Sequence, residues 1–226
     1  MDQLVNDYLH REHDLITQMI NVIKLEINKL SIGNQPDPER FRKIITFCQN
    51  YADKVHHMKE EDLLFTHIYP INNIEGGPHC IYYKELQMQR TPVVEQVQQI
   101  QMDLGVSQAD FLKNWKTVVH EGCIVNPLLE EHILGRNLIA LIENEMNALL
   151  NGSKKQNGEL IYALYRYATM IEEHIEKENV CFAHTVDKYL PKELQKTIVQ
   201  RFKEMDDGPC AELIRESMQI LNELKN

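Results

Sequence analysis

The chain has 226 residues, 26% of them charged and 43% hydrophobic, with nine glycines and eight prolines, a composition that excludes a disordered polymer and allows one sizeable core without disulfides. A formal net charge of −10 with no basic tract excludes nucleic acid and anionic membrane as expected partners, because both need a basic face. The five cysteines (Cys48, Cys80, Cys123, Cys181, Cys210) are an odd number, scattered and without a Cys-x-x-Cys pair, so neither a disulfide framework nor a zinc ribbon is expected.

The first twenty residues carry Asp2, Asp7, Arg11, Glu12 and Asp14 among the apolar ones, so no signal-peptide core is expected, and no stretch is long enough to span a membrane. A cytoplasmic protein is the expectation. Residues 3–30 read as one helix, with Val5, Leu9, Ile16, Ile20, Ile23, Ile27 and Leu30 at steps of three and four and His13 bridging the gap between Leu9 and Ile16. Gly33 to Pro38 end that helix and begin a second, running from about Glu39 to Ile68. On it Ile45, Cys48 and Ala52 lead by steps of four to His56 and Glu60, while His57 and Glu61 are expected further round, away from that stripe.

Pro70 to Pro78, with Gly76-Gly77 inside, is a clear break. A helical insertion is expected over about 70–126, with helical stretches at Ile81 to Met102 and Gln108 to Val119, the latter carrying the lone Trp115. Pro127 sits where the first turn of a third helix accepts it. Leu128, Gly135, Ile139, Ile142, Met146 and Leu149 continue the stripe with His132 in line, and Asn151-Gly152-Ser153 closes it. A fourth helix follows, with Leu160, Leu164, Tyr167 and Ile171 leading to His174, Glu178 and Phe182. Pro191 and Asp206 to Pro209 set off two shorter C-terminal helices. No run alternates as a strand would, so the expected class is all-α.

Two halves of the chain echo each other. His13 precedes His56 by 43 residues and His132 precedes His174 by 42, and both later histidines begin a His-x-x-x-Glu, with Glu60 and Glu178. Burying imidazoles and carboxylates on core stripes costs several kcal/mol each unless they are paired or bound to metal. Helix bundles build metal sites from side chains on facing helices. Four His and two Glu would give each of two metals two imidazoles, with both carboxylates bridging and open positions left for a small ligand. Donors without thiolate suit iron, manganese or zinc.

These residues resemble the hemerythrin-like family, with its His-His-Glu cation-binding domain: Glu12-His13, His56-His57-Met58-Lys59-Glu60-Glu61 through Phe65, Glu131-His132 with Gly135-Arg136, and His174 through Glu178. The resemblance covers about residues 4–190. It implies an antiparallel four-helix bundle over residues 1–190, interrupted by the insertion, with residues 191–226 as a C-terminal helical extension packed on it. It also implies a non-haem, oxo- or hydroxo-bridged pair of iron ions, ahead of manganese or zinc, held by His13, His56, Glu60, His132, His174 and Glu178. His57 with Glu61 is the register alternative.

Two departures from the family stand out. Oxygen-carrying hemerythrins use a fifth His four residues beyond the third-helix His, where this chain has Arg136. Many members also carry Gly-Gly-Pro, then Glu-His, then Arg; here Gly76-Gly77-Pro78 is followed by Lys84-Glu85-Leu86 and Arg90, with Leu86 where that His would stand. The implied function is binding of, or reaction with, oxygen, nitric oxide or peroxide. The alternatives are repair of damaged iron–sulfur centres, or oxygen or iron sensing without turnover. Expected partners are a diatomic or peroxide ligand, with no nucleic acid and no membrane; nothing names a protein partner or assigns a separate catalytic residue. His10 stands one turn before His13, and His79 with Cys80 could approach the site's open end, but for these and for His67, His120 and His184 a surface or loop place is the expectation. Tyr51, Tyr165 and Tyr167 are candidates for hydrogen bonds behind the ligands.

Overall fold

The computed structural model describes residues 4–68, 125–151 and 157–225. The described residues are all-helical, with no strand among them. Helix α1 spans Val5–Ser31. It stops where Gly33 takes φ 94°, a left-handed conformation open to glycine, and where the amides of Gly33 and Asn34 reach back to the carbonyls of Leu30 and Lys29. The next helical run, α2, covers 38–68. Its start is set by Asp37, whose carboxylate accepts from the amides of Glu39 (3.0 Å) and Arg40 (3.3 Å), and by Pro38 in the first turn.

Within α2 the winding widens to π-helical over Cys48–His57 and again over Glu60–Leu64. Helix α3 is Val125–Leu150, so Pro127 lies in its first turn. Helix α4 begins as Gly158–Lys177, becomes π-helical over Glu178–Phe182 and finishes as Ala183–Tyr189. Two further helices follow, α5 at Lys192–Asp207 and α6 at Ala211–Lys225. The insertion expected at about 70–126, with Trp115, His79, Cys80 and His120, lies outside the described residues as far as residue 124. No helix among the described residues is long and apolar enough to cross a membrane.

Two apolar clusters form the interior. One gathers Ile16, Ile20 and Ile23 of α1, Phe41, Phe47 and Val55 of α2, Leu134 and Leu138 of α3, and Leu164 and Ile171 of α4. The other gathers Val5 and Leu9 of α1, Leu64 and Phe65 of α2, Val125 and Leu128 of α3, and Cys181 and Phe182 of α4. Thus α1 and α3 pass from the second cluster to the first as the chain advances, and α2 and α4 pass back. Between the clusters each helix presents its polar pair: Glu12-His13, His56 with Glu60, Glu131-His132, and His174 with Glu178. Helix α5 adds Ile198, Val199 and Phe202 to the second cluster, and α6 adds Ile220, Leu221 and Leu224 to the first. Burial of each such side chain contributes about 1.5–3 kcal/mol.

Candidate metal centre

All six residues of the expected ligand set meet in the layer between the clusters, each at most 3% exposed. His13 and His56 stand edge to face with ring centres 4.8 Å apart, and His132 and His174 repeat that arrangement at 4.8 Å. The carboxylates lie between the two imidazole pairs. Glu60 Oε2 is 3.8 Å from His56 Nε2 and 3.5 Å from His132 Nε2. Glu178 presents Oε2 to His13 Nε2 at 3.2 Å and Oε1 to His174 Nε2 at 3.1 Å. Two buried groups result, His13, His56, Glu60 and Glu178, and His132, His174, Glu60 and Glu178, in each of which one donor atom per residue lies within 4.8 Å of the others. The carboxylates belong to both groups.

The outward nitrogens explain why the inward ones converge. Nδ1 of His56 donates to Glu12 at 3.0 Å, and Nδ1 of His174 donates to Glu131 at 2.8 Å. Nδ1 of His132 donates to Glu61 at 2.8 Å, and Nδ1 of His13 to the Asn179 side-chain oxygen at 2.7 Å. An ionised carboxylate or an amide oxygen only accepts, so each imidazole carries a proton on its outer nitrogen and turns Nε2 inward. Lys59 clamps Glu12, and Lys177 clamps Glu131. The halves are therefore copies: Glu12, His13, His56, Lys59, Glu60 and Glu61 correspond to Glu131, His132, His174, Lys177, Glu178 and Asn179, 118 or 119 residues later. Glu60 and Glu178 each open a π-helical turn, a feature frequent at functional sites.

Nε2 of His13 and of His56, and both oxygens of Glu60 and of Glu178, are buried without a hydrogen-bond partner among the described residues. Such atoms are costly to leave unsatisfied, and their convergence is the geometry a cation would complete. Buried His and Glu of this kind could hold a metal ion, and the donor set is imidazole and carboxylate, without thiolate.

The electrostatics agree. Burial, the largest influence, would lower the basicity of His13, His132 and His174, but the carboxylates outweigh it. His132 is held well above its ordinary pKa by Glu178, Glu60 and Glu61, and His174 is pushed up to about 9 by Glu178 and Glu131. For Glu178 burial acts upward, yet His174, His13 and His132 hold its carboxyl well below the usual range. The raised imidazoles favour protons in the metal-free protein, and binding of a cation there would release them. Because the folded pKa of His174 exceeds its ordinary 6.5, its stabilising contribution is whole below pH 6.5 and is lost as pH rises through about 9. The expected result is a falling Tm of metal-free protein across that window and a flatter profile once metal has replaced the proton; a metal-free Tm that rises over the same range would contradict the proton-holding network.

The remaining expectations divide. Glu61 does not face the centre but supports His132 from outside, where Arg136 also holds it at 2.7 Å. His57 does not turn away from the stripe. It is buried, stacked face to face on His132 with ring centres 3.8 Å apart. It also lines a cavity of about 440 Å³ with Cys48, Ala52, Gly135, Arg136 and Tyr167. Tyr51 and Tyr167 are buried, whereas Tyr165 is 58% exposed and stands away from the layer, so it cannot support a ligand. His10, His67 and His184 are exposed.

Sequence reasoning missed the roles of Glu12, Glu131, Lys59, Lys177 and Asn179. Their signal was present: a Glu directly before each first histidine, and His-x-x-Lys-Glu at both 56–60 and 174–178. Comparison with protein-family models, curated proteins and solved structures gives no match. The functional reading therefore rests on the chain's own residues.

Proposed function

We propose that the chain is a non-haem dinuclear metal protein, with iron at the four-His, two-Glu layer, that binds or reacts with a small oxidant such as oxygen, nitric oxide or peroxide. The observation that carries this reading is the convergence of buried imidazole nitrogens and carboxylate oxygens in two groups that share Glu60 and Glu178, with His13 Nε2, His56 Nε2 and all four carboxylate oxygens lacking partners among the described residues. In this reading the helices form an antiparallel four-helix bundle of the hemerythrin-like kind, with the 70–126 segment as an insertion. A cytoplasmic place accords with Cys48 and Cys210 as buried thiols rather than disulfides.

Bound iron would supply redox chemistry and coordination positions open to a small ligand. The chain's residues do the rest. Glu12, Glu131, Glu61 and Asn179 hold the imidazoles in orientation, Lys59 and Lys177 hold Glu12 and Glu131, and the apolar clusters on both sides keep water from the layer. Arg136, at the position of the oxygen carriers' extra His, is tied to Asp53 and Glu61 and offers no donor to a metal.

The test is metal analysis and a visible spectrum of protein purified without air, then exposed to it. About two irons per chain with near-ultraviolet bands, both lost in His56→Ala and His174→Ala, are expected. Protein from iron-replete cells that holds no iron, or zinc alone at about one per chain, would refute the assignment.

A further inference from the structure

We infer that the cavity between α2 and α3 is a binding pocket for a small uncharged organic molecule, one with an apolar body and a hydroxyl group. The cavity measures about 440 Å³, the size of a cleft that holds a small ligand. Ala52 of α2 and Gly135, Ile139 and Ala140 of α3 give it apolar walls, and Tyr167 of α4 also lines it. Nothing in this inference depends on a bound ion, so it stands apart from the dinuclear reading.

The hydroxyl is called for by His57. That residue lines the cavity, and its Nδ1 is buried without a hydrogen-bond partner among the described residues. Asp53 Oδ1 stands 3.6 Å away, too far for a hydrogen bond. A buried nitrogen without a partner is costly, and a ligand that answers it removes that cost. A hydroxyl both donates and accepts, so it can meet either tautomer of the imidazole.

The charges around the cavity call for a neutral occupant. Arg136 is held by Asp53 and by Glu61, each at 2.7 Å, so these three charges answer one another. The Cys48 thiol and the Tyr167 hydroxyl, both buried, hydrogen-bond to each other. Lys54 is exposed and bonds to the side-chain oxygen of Asn50 at 3.2 Å, so its ammonium stays in water. A charged ligand would exchange its hydration for apolar walls, whereas a neutral one gives up little. The position gives the pocket its interest. The His57 ring lies flat on that of His132, with centres 3.8 Å apart, so a molecule bonded to His57 is one imidazole away from the His/Glu layer.

The test is equilibrium dialysis of the full-length protein, as purified, against 2-naphthol and, separately, against the anion 2-naphthoate. About one 2-naphthol per chain is expected to bind saturably, with 2-naphthoate weaker by ~10-fold or more. Ala140→Trp, which fills the cavity from its half-buried wall, is expected to abolish binding. His57→Phe keeps the ring and loses the nitrogen, and is expected to weaken binding ~10-fold, the scale of one hydrogen bond. No saturable binding by wild type, 2-naphthoate bound as tightly as 2-naphthol, or a folded Ala140→Trp chain with wild-type affinity would overturn the inference. A His57→Phe chain with wild-type affinity would overturn the part given to the hydroxyl. The comparison of the two probes needs no variant, so a substituted chain that fails to fold does not block the test.

Discussion

Glu60→Ala is expected to lower metal content to about one ion per chain or less, while Glu61→Gln keeps both ions with affinity reduced ~10–100-fold. The two positions are adjacent in sequence and opposite in role. Glu60 is fully buried, both its oxygens lack partners among the described residues, and one of them approaches His56 and His132 together. In the dinuclear reading, removing it takes a donor from both metal positions at once. Glu61 is partly exposed and acts from behind His132 in company with Arg136, which together with His132 holds its carboxyl at about 2 against the opposing effect of burial. Glutamine there loses the charge but can still accept from the imidazole. Metal analysis after dialysis against a weak chelator separates the cases. Loss of both ions from the Glu61 variant, with the Glu60 variant unaffected, would reverse the register of the centre.

The second large effect is on folding. Lys59→Met is expected to destabilise the protein by about 3–5 kcal/mol, the scale for removing one partner of a buried ion pair. Lys59 is fully buried and serves two carboxylates, Glu12 and, at 2.5 Å, Asp206 of α5. Glu12 is held below its ordinary pKa because His56 and Lys59 together outweigh its burial. Without the lysine, Glu12 and Asp206 face each other's neighbourhood with less compensation, and Asp206 keeps only Tyr8 as a hydrogen-bond donor among those described. The corresponding Lys177→Met should cost less, about 1–3 kcal/mol, because Lys177 is partly exposed and holds Glu131 alone. Urea unfolding of the metal-free variants measures the difference. Equal losses at the two lysines would mean that Asp206, and with it the docking of α5, adds nothing at this point.

The sequence by itself determined the helical class, the chain breaks at Gly33, Pro191 and Gly208 and the six polar interruptions of the apolar stripes. Those are local properties: a 3.6-residue period, a capping Asp37, a terminating Gly33, and a pair of histidines and a glutamate repeated in each half. Helix periodicity places a residue on a face, and that was sufficient to bring His13, His56, His132 and His174 onto one layer.

Only the tertiary structure decided which charge answers which. Glu12 supports His56 and Glu131 supports His174 across more than forty residues of chain, while Glu61 and Asn179 reach a histidine of the opposite half. Hydrogen-bond partnership depends on separations of about 3 Å between helices, a quantity that the spacing along one helix does not contain. The inward place of His57 was hidden for a related reason. It is set by the stacking of its ring on His132 of α3, a contact between helices that the spacing along α2 does not contain. The Lys59–Asp206 pair, too, exists only because α5 packs against the layer from the far end of the chain, where burial makes an ordinary surface lysine into a structural cation.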